Sequence, residues 1–267
     1  MPTATINNHN MYYELHGDGP PAVYVGGWDT FCHGREKFLA RGMTDKYSVL
    51  LIDYRGIGES DDDLRVTPST ELHADDIIGL LDHLGMDKVY FVGLVGIGAC
   101  IGQWVALKRP DLVRCMVNMG CWTYSDDCMR DQLNALGTMH EKAGFLAFQE
   151  LVAVYSFRPD YYVANRHKLL GSGKVWGVLE NNLTAHLRFI EACNSHDIRP
   201  YMKDISVPTL VLHAGRDVIT GPRTTTPLEE GLRNGIGVTM PEVAHVVAGK
   251  EEKVVFCEIL HGFLDAH

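Results

Sequence analysis

The chain has 267 residues, 46% of them hydrophobic, and a formal net charge of −10. That length holds one large core, or a core with a lid, and so acidic a balance argues against a nucleic-acid partner, whose run of phosphates it would not neutralise. No window approaches about 18 consecutive apolar residues, and the start, MPTATINNHNMYYELHGDG, has no basic stretch leading into an apolar run; neither a membrane span nor a secretory signal is expected, and the reading is cytoplasmic.

In chain order, strand-like runs occur at TINNHNMYYELHG, PAVYVGG, YSVLLIDYRG, KVYFVGL and RCMVNMG, then at PTLVLHAG and GVTMPEV. The later ones are short and rich in Val, Leu and Ile, as strands buried on both faces of a parallel sheet are. Between them lie helical patterns. STELHADDIIGLLDHLG carries Leu72, Ile77, Ile78, Leu80, Leu81 and Leu84 on one face and ends at Gly85. IGACIGQWVALKR places Ile97, Cys100, Ile101, Trp104 and Val105 on one stripe, with Pro110 after its end. Strand–helix alternation predicts a doubly wound, mostly parallel α/β sheet. The alternation stops between residues 121 and 205, which read as helical and aromatic-rich. The expected division is therefore a core of residues 1–120 and 206–267, with 121–205 as a helical lid over the strand ends, where open α/β sheets bind ligands.

The seven cysteines are scattered and odd in number, with no C-x-x-C, which reads as reduced, mostly buried thiols. The thirteen histidines form no H-x-H or H-E-x-x-H, so no metal site is expected.

Several stretches resemble the α/β-hydrolase superfamily. VYVGGWDT is similar to its His-Gly loop, with Gly26 in the place of the His and Gly27 in that of the Gly. LIDYRGIGESD is similar to Asp-x-Arg-Gly-x-Gly-x-Ser, matching Asp53, Arg55, Gly56, Gly58 and Ser60. HAGRDVITGP resembles the acid loop and offers Asp217; PEVAHVVAGKEE resembles the histidine loop and offers His245. Within the superfamily, GLVGIGACIGQWVA, GCWT, FLAFQELVAVYSFRPDYY and NNLTAHLRFIEACNSHDI resemble the 3-oxoadipate enol-lactone hydrolases of aromatic catabolism and the aminoacrylate or carbamate hydrolases of pyrimidine breakdown.

The turn FVGLVGIGAC, however, lacks the nucleophile of Gly-x-Ser-x-Gly. Counting forward from the strand places the nucleophile position at Val95; counting back from the helix places it at Gly96, so the turn reads as one residue longer. Asp, Cys and Ser are absent from 93–98, which excludes covalent dehalogenase- or epoxide-hydrolase-type chemistry. Cys100 lies a turn into the helix, on its apolar stripe, and reads as a structural thiol. The resemblance implies a His245–Asp217 base and an oxyanion hole of backbone N–H groups from Trp28 and from Gly96 or Ile97. Candidate substrate contacts are Gly27, Asp29, Trp122, Tyr155, Arg158 (for a substrate carboxylate) and His186; His33 lies near the oxyanion loop, and Asp53 and Arg55 read as loop pins. The leading expectation is a cofactor-free enzyme, monomeric or homodimeric, that hydrolyses a small anionic or enolisable metabolite by direct water attack. The alternatives are a lyase, decarboxylase, isomerase or cofactor-free oxygenase using the same base, and a catalytically silent ligand-binding protein.

Overall fold

A computed structural model describes residues 2–267. The first strand-like run is not one strand but a hairpin, β1 (Thr3–Ile6) and β2 (His9–His16). Asn7 and Asn8 both take positive φ, 46° and 64°, the pair of left-handed residues that a tight hairpin turn demands and that asparagine tolerates. Next come β3 (Pro21–Val25), the short helix α1 (Met43–Lys46), β4 (Ser48–Ile52), α2 (Thr70–Leu84), β5 (Val89–Gly93), α3 (Ile97–Lys108) and β6 (Val113–Met119). After the long helical segment follow β7 (Thr209–Ala214), α8 (Pro222–Gly231), β8 (Gly235–Met240) and α9 (Lys250–Asp265). The eight strands form one sheet in the order β1-β2-β4-β3-β5-β6-β7-β8. Pairing is antiparallel for β1–β2 and β2–β4 and parallel for the rest.

The strands alternate their side chains between two cores. Val23, Val25 and Phe91 join one core with α2 and α3. Ala22, Tyr24, Tyr90 and Val92 join the other, against α9. This period of two explains why the central strands read as unbroken apolar runs. Helix α2 begins where Ser69 Oγ accepts from the Leu72 N–H, and ends on Gly85 at φ 65°. Asp53 and Arg55 do pin loops. The buried Asp53 carboxylate accepts from Thr30 Oγ1 (2.6 Å) and the Glu59 N–H (2.8 Å) and meets His33 Nε2 at 2.6 Å. Arg55 forks onto Asp76 at 2.6 and 2.8 Å.

Between β6 and β7 the chain makes α4 (Asp127–Ala143), α5 (Phe145–Ser156), α6 (Pro159–Leu169) and α7 (Leu183–Asn194), and contributes no strand to the sheet among the described residues. Its outgoing and returning strands of chain are stitched together: Ser125 N–H donates to His196 O (3.1 Å) and Ile198 N–H to Thr123 O (2.7 Å). At this crossing His196 is 1% exposed and fixed as a neutral ring. Gln103 Nε2 donates to Asn118 Oδ1 and Trp122 O, so Gln103 Oε1 accepts from His196 Nε2–H (3.1 Å). Trp104 Nε1 donates to Thr70 Oγ1, whose hydrogen then goes to His196 Nδ1 (2.9 Å). A second proton would break this chain.

Burial lowers the pKa of three such histidines, to about 4 for His73 and about 3 for His186 and His196. Unfolded, each takes a proton near pH 6.5, so the unfolded chain binds more protons between there and about pH 3–4. Stability from these rings is complete above pH 6.5 and falls as pH drops through that window, on the order of 1.4 kcal/mol per pH unit for each. Urea unfolding at pH 7, 6 and 5 should show the loss; a flat profile would contradict the neutral-ring assignment.

Candidate active site

The acid loop follows β7. Asp217 Oδ1 accepts from the N–H groups of Ile219 (2.7 Å) and Thr220 (2.9 Å). Its Oδ2 accepts from Thr220 Oγ1 (3.0 Å) and lies 2.9 Å from His245 Nδ1. Burial alone would raise the carboxyl's pKa, but the His245 imidazole and these N–H donors outweigh it and hold Asp217 below its ordinary value. An ionised carboxylate only accepts, so Nδ1 carries the imidazole proton and Nε2 is left with its lone pair. Arg216 N–H donates to Val243 O (2.9 Å), locking the acid and histidine loops together. Thr220 also lies 3.0 Å from His245 Nδ1. Sequence reading missed it; the signal was the Asp-x-x-Thr turn, in which an aspartate accepts from N–H groups two and three residues on.

The turn after β5 is longer than Gly-x-Ser-x-Gly by one residue. Its two clamping glycines, Gly93 and Gly98, are five positions apart rather than four. Each is a close approach: a Cβ on Gly93 would fall 2.6 Å from Gly98 O, and one on Gly98 would fall 2.5 Å from Gly26 O. The extra residue is absorbed by two consecutive positive-φ positions, Val95 (φ 53°) and Gly96 (φ 83°, ψ −108°). A β-branched residue there is strained. Gly96 directly precedes α3. Backbone hydrogen bonds here run from Leu94 N–H to Val25 O (2.9 Å) and from the Ala99 and Cys100 N–H groups to Gly96 O; among the described residues none uses the N–H of Trp28, Gly96 or Ile97. The free donors therefore sit at the N-terminus of α3 and beside β3.

A cavity of about 50 Å³ joins these parts, and its wall includes Gly27, Trp28, Val95, Gly96, Ile97, Trp122 and His245. The structure thus brings His245, backed by Asp217, the N–H groups expected to form the oxyanion hole and Trp122 to one place. The other substrate candidates lie elsewhere. Arg158 is paired with Glu252 and with Asp160 (3.0 Å), because the Pro159 start of α6 turns it toward α9. Asp29 pairs with Arg35 (2.6 Å) and accepts from Trp176 N–H (3.2 Å). Tyr155 is 46% exposed on the outer face of α5. His186 is fully buried within the helical segment, its Nδ1 2.9 Å from His140 Nδ1 and its ring against Phe148 and Trp28. Cys100 is buried, its Sγ 3.7 Å from Trp122 O, and burial pushes its thiol well above the ordinary range. It is structural. Ser156, which sequence reading did not single out, also lines the cavity.

A sheet of this order, with acid and histidine loops after its late strands and a tight turn after β5, defines a hydrolase-type frame. The model of the alpha/beta hydrolase fold matches residues 24–250, and the chain belongs to that family. Among curated relatives, RutD of Azorhizobium caulinodans, a carbamate hydrolase by assignment, is 28% identical over 273 residues, 98% of each chain. The protein of the same name from Stutzerimonas stutzeri is 29% identical over 230 residues, covering 79% of this chain and 80% of that one. The enol-lactonase of Burkholderia xenovorans LB400 superposes with a TM-score of 0.81 at 20% identity, covering 99% and 100% of the two chains. The deep-sea metagenome hydrolase MGS-M2 superposes at 0.86 and 20%, covering 99% and 97%. The chain is a hydrolase-like enzyme of this family, and no helix among its described residues is long and apolar enough to cross a membrane.

Proposed function

We propose that this chain hydrolyses a small carbonyl substrate by direct attack of water, without a covalent acyl-enzyme and without a cofactor. One observation carries the proposal: Asp217 and Thr220 hold Nδ1 of His245, which shares a cavity wall with a turn that has no nucleophilic side chain at 93–98. The free Nε2 takes a proton from water as the water's oxygen bonds to the carbonyl carbon. The oxyanion that forms is held by the N–H of Trp28 and of Gly96 or Ile97, and collapse expels the leaving group, which receives the proton from His245. The names of the RutD relatives and of the enol-lactonase support a hydrolytic reaction at such a carbon. In this proposal residues 121–205 act as the lid. Its ties support that role: Trp176 N–H to Asp29 Oδ2 (3.2 Å), Asn182 Nδ2 to Gly56 O (2.6 Å) and Val246 N–H to Ser156 O (3.0 Å).

Stopped-flow hydrolysis of 4-nitrophenyl acetate tests the mechanism. The expected trace is linear from the first turnover, with no burst and no acyl adduct in the intact mass. A burst stoichiometric with enzyme, or an adduct on Cys100 or Ser156, would defeat it.

A further inference from the structure

Away from the cavity, three metal-ligating side chains converge at the end of β2. The period of two along this strand turns Tyr12, Glu14 and His16 to one face. The loop after β3 reaches the same face and carries there the short helical turn Glu36–Phe38. One ligand atom each from Glu14, His16 and Glu36 lies within 4.8 Å of the other two, and none of the three residues lines the cavity. Glu14 Oε2 and His16 Nε2 stand 2.7 Å apart, against about 3.3 Å between two ligands of a tetrahedral ion with bonds of about 2.0–2.1 Å. Charge is out of balance at this point. Two carboxylates so close repel each other. Yet Glu14 pairs only with His16, Arg35 is taken by Asp29, and Glu36 has no ion pair among the described residues. Glu36 Oε2 is moreover sealed from solvent with no hydrogen-bond partner, and a bare buried carboxylate oxygen is costly unless something positive meets it. Glu14 is oriented as a ligand would need to be. Tyr12 Oη–H (2.9 Å) and the His33 N–H (2.8 Å) both donate to its Oε1, which leaves Oε2 to face His16. Metal-ligating carboxylates are held by outer hydrogen bonds of this kind.

We propose that Glu14, His16 and Glu36 bind one divalent cation of the zinc type, with water completing its coordination. One imidazole nitrogen and two carboxylate oxygens are a donor set for Zn²⁺ rather than for Ca²⁺ or Mg²⁺, which take oxygen ligands. The cation replaces the proton that His16 Nε2 and Glu14 Oε2 now share, and the neutral ring keeps its proton on Nδ1. Its role is structural. It ties the end of β2 to the loop that begins with Gly26, Gly27, Trp28 and Asp29, in which Asp29 is itself held by Arg35, next to Glu36. It takes no part in the hydrolytic step. No histidine motif announces the site, because two of its ligands are glutamates and Glu36 lies well beyond His16 in the chain.

Calorimetric titration of zinc chloride into metal-free protein at neutral pH tests the site. Saturable binding of one ion per chain is expected. At about 100 times its Kd the free ion should raise the thermal midpoint by roughly 5–10 °C. His16→Gln and Glu36→Gln should each weaken binding by at least about tenfold. Tyr12→Phe removes no ligand and should still cost about tenfold, through the loosened Glu14 carboxylate. Backbone hydrogen exchange at residues 33–39 should slow when zinc is added to the parent and should not respond in Glu36→Gln. Far-UV circular dichroism of the metal-free variants should match the parent, since the substituted side chains keep their size and lie at the edge of the fold. Absence of saturable zinc binding to the parent would overturn the proposal. So would parent affinity in both glutamine variants, which would place the ion on other histidines, or an exchange response that persists in Glu36→Gln. None of these readings involves turnover, so they stand or fall separately from the hydrolytic mechanism.

Discussion

Replacing His245 by alanine is expected to lower kcat for ester hydrolysis by a factor of about 10²–10⁴, the range for losing a positioned general base. The fold should survive, because His245 lies in a loop whose anchor is backbone, Arg216 N–H to Val243 O. Asp217→Asn should cost a comparable factor through a different cause. The amide would offer an N–H toward Nδ1 and favour the tautomer with its proton on Nε2, where no lone pair is left for water. Thr220→Val should cost less, about fivefold, the effect of one hydrogen bond on the carboxylate and ring. The three variants therefore form a graded series that a folding defect would not reproduce, provided thermal midpoints are measured beside the rates. Undiminished turnover in His245→Ala would remove the base from the mechanism while leaving the cavity where it is.

The parts of this site that were legible in the sequence are those whose position is fixed by short range. Asp217 and His245 each sit a few residues past a strand end, and a strand is recognisable from its own apolar run. Gly85 marked the end of α2 for the same reason: the left-handed turn that stops a helix is a local matter of one residue's backbone freedom. The longer turn was also legible, because a count from the strand and a count from the helix disagreed by one. The hairpin at Asn7–Asn8 was not separated from its strands, since no glycine marks it and only the asparagines' tolerance of positive φ does. Within 121–205 sequence reading failed more often. Arg158, Tyr155, His186 and Ser156 all lie on amphipathic or capping positions whose facing is decided by which helix packs on which. The charged and aromatic residues drew attention, yet Arg158 was claimed by Glu252 and His186 by His140. The serine looked ordinary, and the packing of α5 against the histidine loop put it at the cavity.

Restoring a serine to the turn is expected to change the chemistry, and only one of the two positions should do it. Gly96 has φ 83° and ψ −108° and directly precedes α3, where a nucleophile would stand between the helix N-terminus and the base. A Cβ on Gly96 would meet ring carbons of Trp122 at 3.4 and 3.7 Å, so a serine fits the space. The cost is backbone strain, on the order of 1–3 kcal/mol for a side chain held at such dihedrals. For a chain of this size that lowers the thermal midpoint by roughly 2–4 °C for each 1 kcal/mol. Gly96→Ser should then show a stoichiometric burst with 4-nitrophenyl acetate that the parent lacks, as base and oxyanion donors already surround it. Its steady-state rate should fall by about tenfold or more, because the hydroxyl takes both the room of the attacking water and the lone pair of His245. Val95→Ser should give no burst. With Gly96 at the tip, Val95 is the residue by which the turn is longer; its backbone carbonyl is the atom a Cβ on Gly27 would meet at 2.8 Å, which places that peptide against the loop after β3. A burst from Val95→Ser alone would move the tip of the turn to position 95. A faster steady state in Gly96→Ser would mean that the parent is a serine hydrolase missing its serine, and the direct-water mechanism would have to be abandoned.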